Sequence, residues 1–303
     1  MFNFLKPKIV VATHNGSFHA DDVFACATLS IWEEKQGKRI KVVRTRDPKI
    51  IEEADIVVDV GMVYDPVKNR FDHHQAGGAG SHENGISYAS FGLVWKHYGE
   101  KITSKEVAEI IEKKMVTPID AVDNGINITN LDKFGFNEYT MDDVMSTLSG
   151  RNSESQIQKE FSYILSFATK IIKSEIKSGE FKVAGKKETE REIEKQNNPE
   201  ILVLDKYTSW QEAVVSHKNI KLVIYPHRNK KDWSIQVALN DPNDLKSTRA
   251  RLPESWGGLR DGELAHVSGI KDAGFCTNGG WFATAHSKQG ALDMAQKALK
   301  MVQ

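Results

Sequence analysis

The sequence predicts an α/β protein of two domains: an N-terminal parallel sheet with flanking helices, and a smaller C-terminal α/β domain. Three observations carry this. Near the N-terminus, short β-branched runs alternate with helically spaced apolar residues, as in KIVVAT followed by VFACATLSIW. A highly charged stretch, with GKKETEREIEKQNNP at its heart, then interrupts the apolar pattern. Beyond Pro199 a second set of strand-like runs begins with ILVLD. At 303 residues the chain is also long for one domain.

Each element follows in order. Lys8–Thr13 reads as a buried parallel strand, HNGSFHADD as a loop, and Asp21 and Asp22 as the start of a helix running to about Lys35. Arg39–Thr45 and Asp55–Val60 are further strands, separated by a helical turn around Lys49–Ala54. Val67–Phe71 is expected to be a short strand delivering Asp72-His73-His74. The polar, glycine-rich QAGGAGSHENG reads as a mobile loop. Helical patterns follow at Ile86–Tyr98, Ser104–Ala121, Glu138–Leu148 and Ser153 to about Ser178. Ser104 with Val107 and Ser153 with Gln156 resemble N-terminal capping patterns. These boundaries give a domain over residues 1–178, a charged surface linker over 179–199 and a second domain over 200–303. In the latter, LVIYP and WSIQVAL read as strands, LRDGELAHVSG as a short helix, FCTNGGWFAT as a glycine turn between strands, and Ser287–Met301 as a closing amphipathic helix.

Composition narrows the function. With 40% hydrophobic and 27% charged residues the chain is an ordinary soluble protein. Its formal net charge of zero provides no global field for holding a polyanion. Residues 201–303 carry 14 Lys and Arg against 10 Asp and Glu, and the rest carries 27 against 31. An acidic half joined to a mildly basic one fits a small phosphorylated substrate or a short nucleic acid, not the coating of long duplex DNA. Cys26 and Cys276 make neither a disulfide framework nor a zinc ribbon, and suit a reducing cytosol as buried thiols. The start, MFNFLKPKIVVATH, has no apolar signal core, and no run approaches the ~20 residues of a membrane span. A soluble cytoplasmic protein with no membrane partner is expected.

Four clusters carry the chemistry: His14, His19, Asp21 and Asp22; Asp59 in DIVVDVG; Asp72-His73-His74; and Asp120 with Asp123 in IDAVDNG. Each sits where an apolar run ends, the usual place for chemistry in α/β enzymes. Imidazoles with carboxylates suit Mn²⁺, Zn²⁺ or Co²⁺ better than Ca²⁺. The clusters supply more ligands than one ion needs, which points to a two-metal hydrolase. Asp59, at the end of a buried strand, is the natural bridging ligand, because a lone buried charge is costly. Asp21 and Asp22 stand where N-terminal capping is an equal use for one of them. His73 and His74, joined to Asp72, read as one metal ligand and one phosphate-facing imidazole. Asp120 and Asp123 share a helix face, one to bind metal and the other to orient a histidine, in either order.

The order His–Asp, Asp, Asp-His-His, Asp resembles the DHH phosphoesterase superfamily. More closely, THNGSFHADD, DIVVDVG, FDHHQ, IDAVDNG, LPESWGGLRDGELAHVSGI and GALDMAQKAL resemble the "melanocyte proliferating gene" (Myg) exonuclease family over nearly the whole chain. The resemblance implies a DHH-type N-terminal domain, with the active site in the cleft between the two domains. It implies His14, His19 and Asp59 around one divalent ion, and Asp21, Asp59, His73 and one of Asp120 or Asp123 around the other. His74 would contact the scissile phosphate. The superfamily's usual first motif is His-x3-Asp-x-Asp, whereas this chain has His14-x4-His19-x-Asp21, an imidazole replacing a carboxylate.

In the C-terminal half, Arg249, Arg251, Arg260 and His286 are candidate phosphate cations, arginine because its planar fork pairs bidentately with phosphate. Gly279-Gly280 would let backbone approach a ligand. Trp233, Trp256 and Trp281 are expected to pack in the core rather than stack on bases. The ligand clusters predict a metal-dependent phosphodiesterase working through metal-activated hydroxide, and the family resemblance implies a 3′→5′ exonuclease on short single-stranded RNA. Asp59, Asp72 and His74 form its catalytic group. Two ions are expected, Mn²⁺ before Mg²⁺, Co²⁺ or Zn²⁺. The rivals are hydrolysis of a small phosphoanhydride or cyclic dinucleotide, and a non-catalytic module stabilised by its metals. Oligomeric state is open in the sequence, a homodimer included.

Overall fold

The computed structural model describes residues 7–129, 135–149, 153–228, 231–242 and 244–301. The chain divides into two compact units between Gly179 and Glu180. In the first, strands β1 (Lys8–Thr13), β2 (Arg39–Arg44), β3 (Ile56–Val58), β4 (Tyr64–Asp65) and β5 (Arg70–Phe71) form one sheet in the order β2-β1-β3-β5-β4. All pairings are parallel except the β4–β5 edge. Helices α1 (Ala20–Lys35) and α2 (Pro48–Glu53) make the crossovers. Val23, Phe24, Ala25, Cys26, Ala27 and Leu29 are all fully buried, so α1 is enclosed on every side rather than amphipathic.

The expected strand over Val67–Phe71 is shorter. Pro66–Lys68 is a 3-10 turn, since Pro66 fixes its own φ and Asp65 accepts the Val67 and Lys68 N–H groups. Only Arg70 and Phe71 then pair with β3. Within the segment after His74, His82 N–H donates to Ile86 O and Tyr88 N–H to Gly80 O. Those bonds hold residues 80–88 out of helix, so α3 starts at Ser90 and runs to Ile102 instead of starting at Ile86.

Helices α4 (Lys105–Ile111) and α5 (Thr117–Asp123) are joined by a π turn, Glu112–Val116. Ser104 caps α4 by accepting the Val107 N–H. After α6 (Met141–Ser149) comes α7, Glu154–Lys195, with Ser153 N–H bonded to the Gln156 side chain at its start. The stretch expected as a charged linker is therefore helical to Lys195. Isolated apolar contacts such as Ile193, 1% exposed, keep it in register with a core that charge alone concealed.

The second unit holds β6 (Ile201–Val203), α8 (Gln211–Val215), β7 (Leu222–Pro226), β8 (Trp233–Val237), α9 (Asp261–Ser268), β9 (Ala273–Cys276), β10 (Phe282–Ala285) and α10 (Lys288–Met301). Its sheet order is β6-β7-β8-β10-β9, parallel only between β6 and β7. Strand alternation on β7 sends Leu222 and Ile224 into a core with Trp256 and Met294. Val223 and Tyr225 go to the opposite face with Leu202 and Trp210. Trp256 is fully buried as expected, whereas Trp281 is half exposed. Among the described residues no helix is long and apolar enough to cross a membrane.

Candidate metal centre

Asp59 follows the buried β3 and carries a left-handed backbone, φ 55°, an unfavourable conformation for a residue with a side chain. Its N–H donates to Phe71 O, and the loop beyond turns through left-handed Gly61 and Met62. That turn aims the carboxylate outward with one oxygen to each side. Oδ2 lies 3.3 Å from His14 Nε2. Oδ1 lies 3.4 Å from His73 Nε2 and 3.5 Å from His74 Nδ1, and accepts the Ser90 hydroxyl at 3.2 Å.

Around Asp59 the side chains form groups whose ligand atoms lie within 4.8 Å of one another: His14, His19 and Asp59; Asp59, His73 and His74; and Asp21, His73 and Asp123. All come from the C-terminal ends of β1, β3 and β5 and from the helix ends that meet them. A cavity of about 640 Å³ opens over His14, His19, Asp59, His73, His74 and Asp123.

The first turn of α3 holds the carboxylates in place. Ser90 and Phe91 N–H donate to Asp21, and Gly92 N–H donates to Asp120 at 3.0 Å. Helix N-termini carry unpaired N–H groups and partial positive charge, so acids belong there. Even so the site is over-supplied with negative charge. Burial, then Asp59, Asp123 and Asp120, push Asp21 well above the usual carboxylate range. Burial raises Asp22 to about 6, against the attraction of His14. Burial also raises Asp123, with Asp59 adding to the effect. Burial would raise Asp59 too, but the imidazoles of His14 and His73 beside it outweigh that and hold it low. Burial would lower His14, yet Asp59 and Asp22 bring it up to about 9. The buried His73 Nε2 and Asp22 Oδ2 have no hydrogen-bond partner. Clustered acids, histidine nitrogens and the unpartnered His73 Nε2 fit a divalent ion.

The structure brings seven expected residues together: His14, His19, Asp21, Asp59, His73, His74 and Asp123. It separates Asp120, which stands outside these groups and is fully buried against His82 at 2.7 Å. His82 in turn meets Glu112 Oε1 at 3.1 Å and Thr117 Oγ1 at 3.4 Å, side chains that the π turn places. Of the helix pair, Asp123 lies within these groups, whereas Asp120 pairs with His82 outside them. Asp72 is not in the cluster either. It accepts Met62 N–H at 2.6 Å and lies 2.8 Å from His74 Nδ1, so it positions His74. Asp22 accepts the His19 N–H at 2.9 Å, the capping use.

Three residues of the site escaped the sequence reading. Ser90 was hidden inside a helix expected to begin earlier. Arg46 lines the metal cavity with its guanidinium on Asn15. His82 lay in a segment read as a mobile loop, and its only signal was a histidine among glycines.

In the second unit Arg249 is committed to structure: it donates to Val215, His217 and Ile220 carbonyls. Gly280 serves its own chain, since a Cβ there would meet Leu252 O at 2.8 Å. Gly279 is exposed beside Trp281. Arg251 is exposed and has no partner among the described residues. Arg260 lies over the Phe275 ring at 5.6 Å, and His286 bonds Asp232 at 2.8 Å.

Comparison with known proteins gives a consistent set of likenesses. Residues 10–299 match the model of the MYG1 exonuclease family, described as an uncharacterised protein family (UPF0160). The chain is 32% identical over 339 residues to "MYG1 exonuclease" of Mus musculus, covering 95% of this chain and 84% of that one. It is 30% identical to a MYG1 protein of Schizosaccharomyces pombe, covering 97% and 98%. Among solved structures it aligns with the exonuclease RecJ bound to manganese over 97% of this chain and 90% of that one. The identity is 10% and the TM-score 0.29, a likeness too weak to bear on function.

Proposed function

Because this chain belongs to the MYG1 exonuclease family, we propose that it is a two-metal phosphodiesterase removing nucleotides from the 3′ end of short single-stranded RNA. The observation that carries the reading is the Asp59 carboxylate, whose two oxygens face opposite histidine groups, His14 on one side and His73 with His74 on the other. His14, His19 and Asp59 would hold one ion; Asp21, Asp59, His73 and Asp123 would hold the second. Divalent ions of the Mn²⁺ class supply, when bound there, an activated water and positive charge against the phosphate.

The chain's own residues orient and balance the substrate. Asp72 fixes His74 through Nδ1 and leaves Nε2 for a phosphate oxygen at the cavity. Arg46, anchored on Asn15, adds a cation at the same cavity. Ser90 keeps the Asp59 carboxylate from rotating away.

The test is Mn²⁺-dependent release of mononucleotides from a short 3′-labelled oligoribonucleotide, with Asp59→Asn as control. The native protein should release them and the variant should not. An oligomer left intact by metal-loaded native protein would remove the proposal.

A further inference from the structure

We propose that a second cavity, sharing Asp21 and Asp123 with the metal centre, seats a nucleobase that carries an exocyclic amino group. The inference rests on the phosphodiesterase reading only for where the phosphate of that nucleotide lies. The cavity measures about 260 Å³ and lies wholly within the first unit. Its walls include Phe24, Pro118, Ile119, Val122 and Ile128. Tyr139, 72% exposed, lines it as well. Ligand sites are typically apolar recesses with a few placed polar groups, which is the character of this one.

The polar groups decide what can enter. Lys114, the single cation among the lining residues, is taken by both oxygens of Glu175 at 2.7 Å. The Thr140 hydroxyl donates to Asp143 at 2.7 Å, and one oxygen of Asp142 accepts the Ala20 N–H. Glu138 has no partner among the described residues. What remains is a set of acceptors with negative charge, which repels a phosphate. A flat, uncharged ring with N–H donors on its edge satisfies both the walls and the acceptors. Adenine, cytosine and guanine carry amino donors; uracil does not carry one. Tyr139 supplies a ring on which a base can stack. Asp21 and Asp123 lie at the boundary between cavity and ligand cluster, so a base in the cavity belongs to the nucleotide whose phosphate is at the metals.

The test is binding rather than turnover, so that loss of the phosphodiesterase reading would leave it readable. Calorimetry on the full chain with Mn²⁺ compares AMP, UMP and ribose 5-phosphate. AMP should bind about tenfold more tightly than ribose 5-phosphate, the increment one stacked base gives. Ile128→Trp fills the cavity from an exposed position and should bring AMP down to the affinity of ribose 5-phosphate, leaving the latter unchanged. Met115→Trp fills it from another wall and should do the same. Glu138→Gln should reduce the preference for AMP over UMP. Equal affinity of the native protein for AMP and ribose 5-phosphate, or no heat from either, overturns the inference. So does an unchanged AMP advantage in both filled variants.

Discussion

Gly92 and Asp120 stand so close that a Cβ on the glycine would lie 1.8 Å from Asp120 Oδ2. No side chain fits there while Asp120 keeps its hydrogen bond from the Gly92 N–H. The glycine lies in helix, where it costs roughly 1 kcal/mol against alanine. Its presence is explained by the buried carboxylate it admits.

Gly92→Ala should therefore destabilise the protein by about 1–3 kcal/mol, the usual cost of overpacking, despite the gain in helix propensity. Urea denaturation at neutral pH measures it. A variant as stable as the native protein would show that Asp120 has room to move.

Asp59→Asn should leave the fold intact and abolish tight metal binding. Asparagine tolerates the left-handed backbone that Asp59 adopts at φ 55°, so the substitution removes charge without adding strain. Calorimetry with Mn²⁺ should show binding at neither group. Retained binding at both would dismiss Asp59 as the bridge.

Glu33 gives a pH dependence. It is 6% exposed, and burial raises its pKa above 4.5, opposed by Lys38 and aided by Asp55. A raised folded-state pKa means that the protonated acid is the form the fold prefers. Its contribution is thus full below about 4.5 and is lost as pH rises through the folded value. Glu33→Gln should raise the urea midpoint at neutral pH, and the gain should shrink on acidification toward 4.5. A gain independent of pH would exclude charge as the cause.

The two neighbouring arginines of the second unit should part company. Arg249→Ala removes three donors from backbone carbonyls and should cost about 2–3 kcal/mol by thermal or urea unfolding. Arg251→Ala removes an exposed side chain and should stay within about 0.5 kcal/mol. Equal losses would contradict the different anchoring of the two.

By itself the sequence determined the strand over Lys8–Thr13, the helix ending at Lys35 and the hairpin around Gly279-Gly280. Local periodicity and turn chemistry fix such features without help from the rest of the chain. It also singled out His14, His19, Asp21, Asp59, His73, His74 and the pair Asp120 and Asp123 as one candidate group, because each ends an apolar run where buried charge is costly unless compensated. Only the tertiary structure decided between Asp120 and Asp123. The two differ by less than one helical turn, and the choice depends on where His82 and Gly92 arrive from other segments. The start of α3 and the run of α7 to Lys195 were likewise decided in three dimensions, by the bonds holding residues 80–88 and by contacts such as Ile193. The partners of Asp120 lie 38 and 28 residues away at His82 and Gly92, beyond any local window of sequence, whereas the bonds within 80–88 are local but carry no periodic signal.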